Sequence, residues 1–226
     1  MLERVLHLIG FGLCHQLPER SFFGGGLQAP VCARDTGMYL GFTVAALLLL
    51  ALGRDRRPSE VPPLPVALVA AAFVGAMAWD GVTSYAGLRA TDNDVRLLTG
   101  LMAGFAAAAY AVPFARQALS RRPGRERVLG RPVEAVAWLA GVPAAFLLVR
   151  LALPLLGALY PVLVALAVLF AFTMVNLVVV GVFKPFEGSV GRPADLSAPL
   201  ALAFALTLFE IVGSAALRQA LVLTLG

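Results

Sequence analysis

Six stretches of roughly 20 residues almost free of charge recur along this chain, and each is long enough as a helix to cross a hydrocarbon core of ~30 Å. They run from about Thr36 to Gly53, Leu64 to Val82, Val95 to Ala115, Val133 to Leu153, Leu159 to Phe183 and Ser197 to Leu217. A helix satisfies its own backbone hydrogen bonds, which is what a segment without water requires. Of 226 residues, 60% are hydrophobic and 14% charged, where a soluble domain has about half apolar and about a quarter charged residues. The expected fold is an all-α membrane protein: a bundle of about six transmembrane helices with no separate soluble domain. It divides into an N-terminal segment 1–36, a three-helix core 37–115 and three further helices within 133–226. Pro113, Pro143 and Pro199 fall inside spans, where they kink or start helices.

The formal net charge of +5 is read as topology and not as affinity for nucleic acid. Arg54, Arg56 and Arg57 share one loop, and Arg116, Arg121, Arg122, Arg125, Arg127 and Arg131 crowd another. Two spans separate these loops, so both lie on one side, which the positive-inside rule assigns to the cytoplasm of a multi-pass protein in the cell membrane. The segment through Asp35, the loop Thr83 to Asp94 and the C-terminus then face outward. The apolar run Val5 to Leu13 is too short to span. It reads as an amphipathic helix on the outer face, with a half-span lining the bundle as the alternative.

This count brings two polar stretches to one surface: CHQLPERSFFGGGLQAPVCARDTG from Cys14, and WDGVTSYAGLRATDNDVRLLTG from Trp79. Gly37-x-x-x-Gly41 and Gly100-x-x-x-Gly104, at the outer ends of the first and third spans, have the spacing that lets helices approach closely. In the second stretch, Asp92, Asn93 or Asp94 can cap the third span, Thr91 and Asp94 resemble a capping box, and Arg96 can snorkel. Asp80, Thr83, Ser84, Tyr85, Arg89, Asn93 and Arg96 together exceed what a short loop needs, and polar groups facing a bundle interior are functional candidates.

Cys14, His15, Cys32 and Asp35 supply the soft and borderline ligands that zinc prefers. Ser21 to Val31, centred on three glycines, reads as a hairpin that brings Cys14 and His15 to Cys32 and Asp35. Cys14 and His15 are neighbours, however, and can share an ion only in a tight turn. A disulfide closing the Cys14 to Cys32 loop in an oxidising compartment is the competing reading, worth roughly 3 kcal/mol.

The same residues carry a family likeness. CHQLPERSF at Cys14 and PVCARDTGMYLG at Pro30, followed by Asp80-Gly81-Val82-Thr83, Arg89-Ala90-Thr91-Asp92-Asn93 and Arg96-Leu97-Leu98-Thr99-Gly100, resemble a prokaryotic membrane-protein family known as domain of unknown function 2085. The likeness spans roughly residues 10 to 105. It implies a membrane protein with a Cys/His motif and brings no activity with it. This chain departs from the family pattern in two places. Asp35 stands where the pattern has a second cysteine of a Cys-x-x-Cys, which keeps a metal ligand and removes a thiol pair. Ser84 replaces a Gln.

Beyond the likeness, Arg150, Asn176 and Glu210 are polar residues inside spans, each costly in hydrocarbon unless paired. Arg150 and Glu210 can form an ion pair between helices, or both can line a polar cavity below the outer-face stretches, while Asn176 is expected to bond a neighbouring helix. Two functions fit the whole. In the first, a membrane-embedded metalloenzyme holds Zn2+ through Cys14, Cys32, Asp35 and His15. Asp80 is its base or a support for the metal site, and Arg20, Arg34, Arg89 and Arg96 grip an anionic lipid or other anion. Thr83, Tyr85, Asn93 and Thr99 add hydrogen bonds around them. In the second, a transporter uses Arg150 and Glu210, and the Cys/His segment is a structural staple.

Overall fold

The computed structural model describes residues 1–225. Its elements in chain order are α1 (Leu2–Phe11), β1 (Ser21–Gly24), β2 (Leu27–Cys32), α2 (Ala33–Leu52), β3 (Pro58–Glu60), α3 (Leu64–Tyr85), α4 (Asn93–Leu119), β4 (Gly124–Arg127), α5 (Pro132–Leu147), α6 (Leu159–Val182) and α7 (Ser197–Leu225). Among the described residues, six helices are long and apolar enough to cross a membrane. The protein is an all-α membrane protein.

Helix ends differ from the pattern-based spans where polar residues extend a helix past its apolar window. α2 starts at Ala33, taking Arg34 and Asp35 into its first turn, and α4 starts at Asn93, capped by the Asp92 side chain, which accepts from the Val95 N–H at 2.8 Å. The fourth span is uneven. α5 carries Pro143 inside it, then loosens into a π-helical turn, Leu148–Ala152, and a 3₁₀ turn, Leu153–Leu156, before Gly157 reverses the chain at φ 55°.

The seam between α2 and α4 is the axis of the bundle, since α4 is the most buried of the long helices. A Cβ on Gly37 or Gly41 would overlap the α4 backbone at Leu97 or Leu101, and one on Gly100 or Gly104 would overlap the α2 backbone at Arg34 or Met38. Lipid tails give apolar helices no reason to associate, so backbone contact of this kind is what holds such a pair. Phe105 and Trp138 are fully buried beside it, with the Trp138 indole donating to the Phe105 carbonyl at 3.2 Å and stacking on Phe73.

Away from that seam, α6 and α7 are tied by polar bonds. The Asn176 amide donates to the Thr207 hydroxyl at 3.1 Å and to the Glu210 carboxylate at 2.8 Å. At one end of the bundle the short β3 and β4 pair in parallel, and Ser120 bridges Val190, joining three interhelical loops. The Arg56 guanidinium there pairs with both Glu126 and Glu134. The two arginine-rich loops thus share one end, and the hairpin β1–β2 with the α3–α4 loop occupies the other.

Candidate metal centre

Local sequence builds the site in three steps. Gly25 and Gly26, both at positive φ (57° and 79°), make the two-residue turn that such hairpins favour, and Ser21 is then aligned with Cys32 across β1 and β2. Cys32 ends β2 in extended conformation and immediately precedes α2, so Asp35, one turn on, shares its side of the helix start. Cys14 comes from the turn after α1: the Cys32 N–H donates to the Cys14 sulfur at 3.2 Å, and the Cys32 thiol donates to the Asp35 carboxylate at 3.2 Å. One ligand atom from each of Cys14, Cys32 and Asp35 lies within 4.8 Å of the others.

Tetrahedral zinc with bonds of roughly 2.0–2.3 Å needs ligand atoms about 3.3–3.8 Å apart, so closure by at most about 1.5 Å brings this group to size. The donor set, two sulfurs and one carboxylate, fits a borderline-soft cation. Both cysteines are free and half-buried. The side-chain hydrogen bond with Cys32 first, then the backbone N–H groups of Gln16 and Cys32, hold the Cys14 thiol down to about 7 against the opposing effect of burial. The Cys32 thiol is pushed up by its hydrogen bond with Cys14, then by burial and the nearby Asp35.

Cys14, Cys32 and Asp35 open into a cavity of about 400 Å³ that is also lined by His15, Arg20, Arg34, Tyr85 and Arg96. Arg20 lies over the Tyr85 ring, 5.9 Å from its centroid, and Arg96 donates to the Asn93 side chain at 3.1 Å. Asn93 in turn donates to the Glu19 carbonyl at 3.2 Å, tying the α4 start to the Cys14 segment. Behind the cavity Asp80 is 1% exposed and takes donors on both oxygens. Arg34 Nε and Nη2 reach Oδ2 at 3.1 and 2.5 Å, Arg89 and Thr91 bond Oδ1, and Thr99 reaches Oδ2 at 3.4 Å.

Several expected roles change on this geometry. His15 lines the cavity but stands outside the ligand group, because the adjacent Cys14 takes the inward direction and the imidazole is left exposed. Asp80 is enclosed by two guanidinium groups and two hydroxyls, so both of its oxygens are already engaged within the protein. Arg89 is spent on Asp80 and does not line the cavity. The Thr83 hydroxyl bonds back to the Trp79 carbonyl at 2.7 Å, one turn down its own helix. The Thr91–Asp94 capping box does not form: Asp92 caps α4, Thr91 serves Asp80, and Asp94 accepts from Arg150 at 2.7 Å. That last bond also takes the place of an Arg150–Glu210 pair, since the loosened end of α5 puts Arg150 at the start of α4 while Glu210 bonds Asn176.

Three supporting residues escaped the sequence reading. Gln16, at φ 54°, donates to the His7 and Pro30 carbonyls at 3.0 and 2.8 Å, fixing the Cys14 turn to β2. Gln28 donates to the Gln16 carbonyl at 2.9 Å and the Ser21 hydroxyl at 3.0 Å. Arg218, from the far end of the chain, donates to the Cys14 carbonyl at 2.5 Å and to the Phe11 carbonyl. Its one legible signal is a lone arginine just past the end of the sixth apolar span.

Residues 14–110 match the family described as Predicted membrane protein (DUF2085). An uncharacterized protein of Methanocaldococcus jannaschii is 37% identical over 103 residues, which is 45% of this chain and 62% of that protein. An uncharacterized protein of Methanothermobacter thermautotrophicus is 37% identical over 92 residues, 41% of this chain and 78% of that protein. The chain therefore spans somewhat less than two thirds of the first relative's length. No solved structure matches.

Proposed function

The chain belongs to the Predicted membrane protein (DUF2085) family, and from that premise we propose that it carries a zinc centre on the extracytoplasmic face of the cell membrane. Cys14, Cys32 and Asp35 are the protein ligands, and an anion is the group bound beside them. The observation that carries this reading is the meeting of a two-thiol, one-carboxylate group with three arginines in a single cavity. Three protein ligands leave the fourth position of a tetrahedral ion open, the pattern of a working centre and not of a closed structural one. The arginine bias of the opposite loops supports the outward orientation.

In this reading the protein is a membrane-embedded metalloenzyme for a lipid phosphate or similar anion. Zinc would supply Lewis acidity toward an oxygen of that anion. The chain's own residues do the rest. Arg20 and Arg96 grip the remaining anionic oxygens, Arg34 is held in direction by Asp80, and Tyr85 backs Arg20. His15, exposed at the cavity, is the imidazole available to move a proton. The alternative, a transporter with Arg150 and Glu210 on its path, has less to support it, since these two residues bond Asp94 and Asn176 and do not meet.

Elemental analysis with a thiol count tests the centre. About one zinc per chain with two titratable thiols after metal removal, and loss of the metal in Cys32→Ser, is the expected result. A metal-free protein with no free thiol would replace the centre with a Cys14–Cys32 disulfide.

A further inference from the structure

The opposite end of the bundle holds a second cavity, of about 690 Å³, between the end of α4 and the β3–β4 clip. Arg122, Arg125 and Arg127 line it together with Phe114 and Val61, and the carboxylate in its wall is Glu60. Arg127 meets that carboxylate only loosely, at 3.9 Å, and Arg122 and Arg125 make no ion pair among the described residues. Phe114 and Val61 are 44% and 42% exposed, so the cavity has an apolar flank beside its cationic one.

A loop whose arginines serve only to fix topology needs charge but no fixed shape. This one is held in shape: β3 and β4 pair in parallel, Arg56 is fastened to Glu126 and Glu134, and Arg116 donates to the Pro58 carbonyl at 3.2 Å. The nearby carboxylates Glu126 and Glu134 are thereby consumed by Arg56 and do not neutralise the lining arginines. What remains is an ordered, net cationic recess at the last turn of a membrane-spanning helix.

We propose that this recess is a binding site for the headgroup of an anionic phospholipid. The guanidinium groups of Arg122, Arg125 and Arg127 take the phosphate, and Phe114 and Val61 take the start of an acyl chain. Arginine suits this ligand because its planar fork matches phosphate oxygens, and basic recesses beside transmembrane helices are suited to acidic headgroups. The site is separate from the metal centre and does not depend on it.

Native mass spectrometry of the detergent-purified chain, titrated with phosphatidylglycerol or phosphatidylcholine, tests it. Phosphatidylglycerol adducts are expected to exceed phosphatidylcholine adducts. In Arg122→Gln/Arg125→Gln that preference should fall by about fivefold per arginine, on the order of twentyfold in all. Arg54→Gln/Arg131→Gln removes the same charge from the same end outside the recess and should keep the preference. Equal losses in the two double variants would show diffuse attraction and overturn the site. Displacement of the lipid by millimolar inorganic phosphate would overturn the lipid in favour of a free anion. Phe114→Ala distinguishes the two again, since it should weaken lipid binding and leave phosphate binding unchanged.

Discussion

The two ends of the bundle solve opposite charge problems. Around the candidate metal centre a carboxylate, Asp80, is shared by two arginines and sits 1% exposed. At the other end an arginine, Arg56, is shared by two carboxylates, and its side chain is 17% exposed. The first arrangement joins α2, α3 and the loop before α4, and leaves surplus positive charge in the adjoining cavity. The second closes loops over one another and uses up the carboxylates near a basic recess. A buried charge missing its partner is costly, whereas an exposed pair contributes little. The ends should therefore respond differently to the same kind of substitution.

Asp80→Ala should have the largest effect, about 3–5 kcal/mol of destabilisation, because it strands the largely buried Arg34 in the cavity wall. Thermal unfolding in detergent reads it, and a change under 1 kcal/mol would mean that the carboxylate is not the anchor of that end. Arg56→Ala should cost less, about 1–3 kcal/mol: Glu126 can turn to water, and the residual cost falls on buried Glu134. A reversed order of these two would break the contrast between the ends.

The thiols sharpen the same comparison within the site. In metal-stripped protein the thiolate is the reactive form, and Cys14 is held down to about 7 while Cys32 is pushed up. Alkylation by iodoacetamide should thus reach Cys14 first. Its rate should rise with pH through about 7 and level off above, as peptide mapping would follow. Modification of Cys32 first, or a rate flat across that range, would contradict the hydrogen-bond pattern. The smallest effect belongs to Arg150→Ala. Its bond to Asp94 joins groups 48% and 49% exposed, and its loss should cost about 0.2–1 kcal/mol.

Much of the site was legible because its chemistry is local. Cys32 and Asp35 are three apart, a spacing that puts both at one helix start, and Gly24-Gly25-Gly26 marks the turn that aligns Ser21 with Cys32. Asp80, Thr91 and Thr99 stood in one polar stretch. Which of them touch could not be read there, because a capping residue and a ligand-orienting residue have the same letters. Thr91 looked like part of a cap and instead serves Asp80. Arg150 looked like an intramembrane partner for Glu210 until the unwound end of α5 carried it to Asp94.

The sequence by itself determined the number of spans, the end of the bundle that gathers the arginines, and the presence of two cysteines and a carboxylate at or before the start of the first span. These follow from hydropathy, charge and spacing, which are properties of short windows. Only the tertiary structure decided that His15 lines the cavity without joining the Cys14, Cys32 and Asp35 group, that Asp80 is enclosed by donors, and that Arg218 closes over Cys14 from more than 200 residues away. Those outcomes depend on how closely α2 and α4 approach across their glycines and on where α7 passes α1, and no window of sequence contains both sides of such a contact.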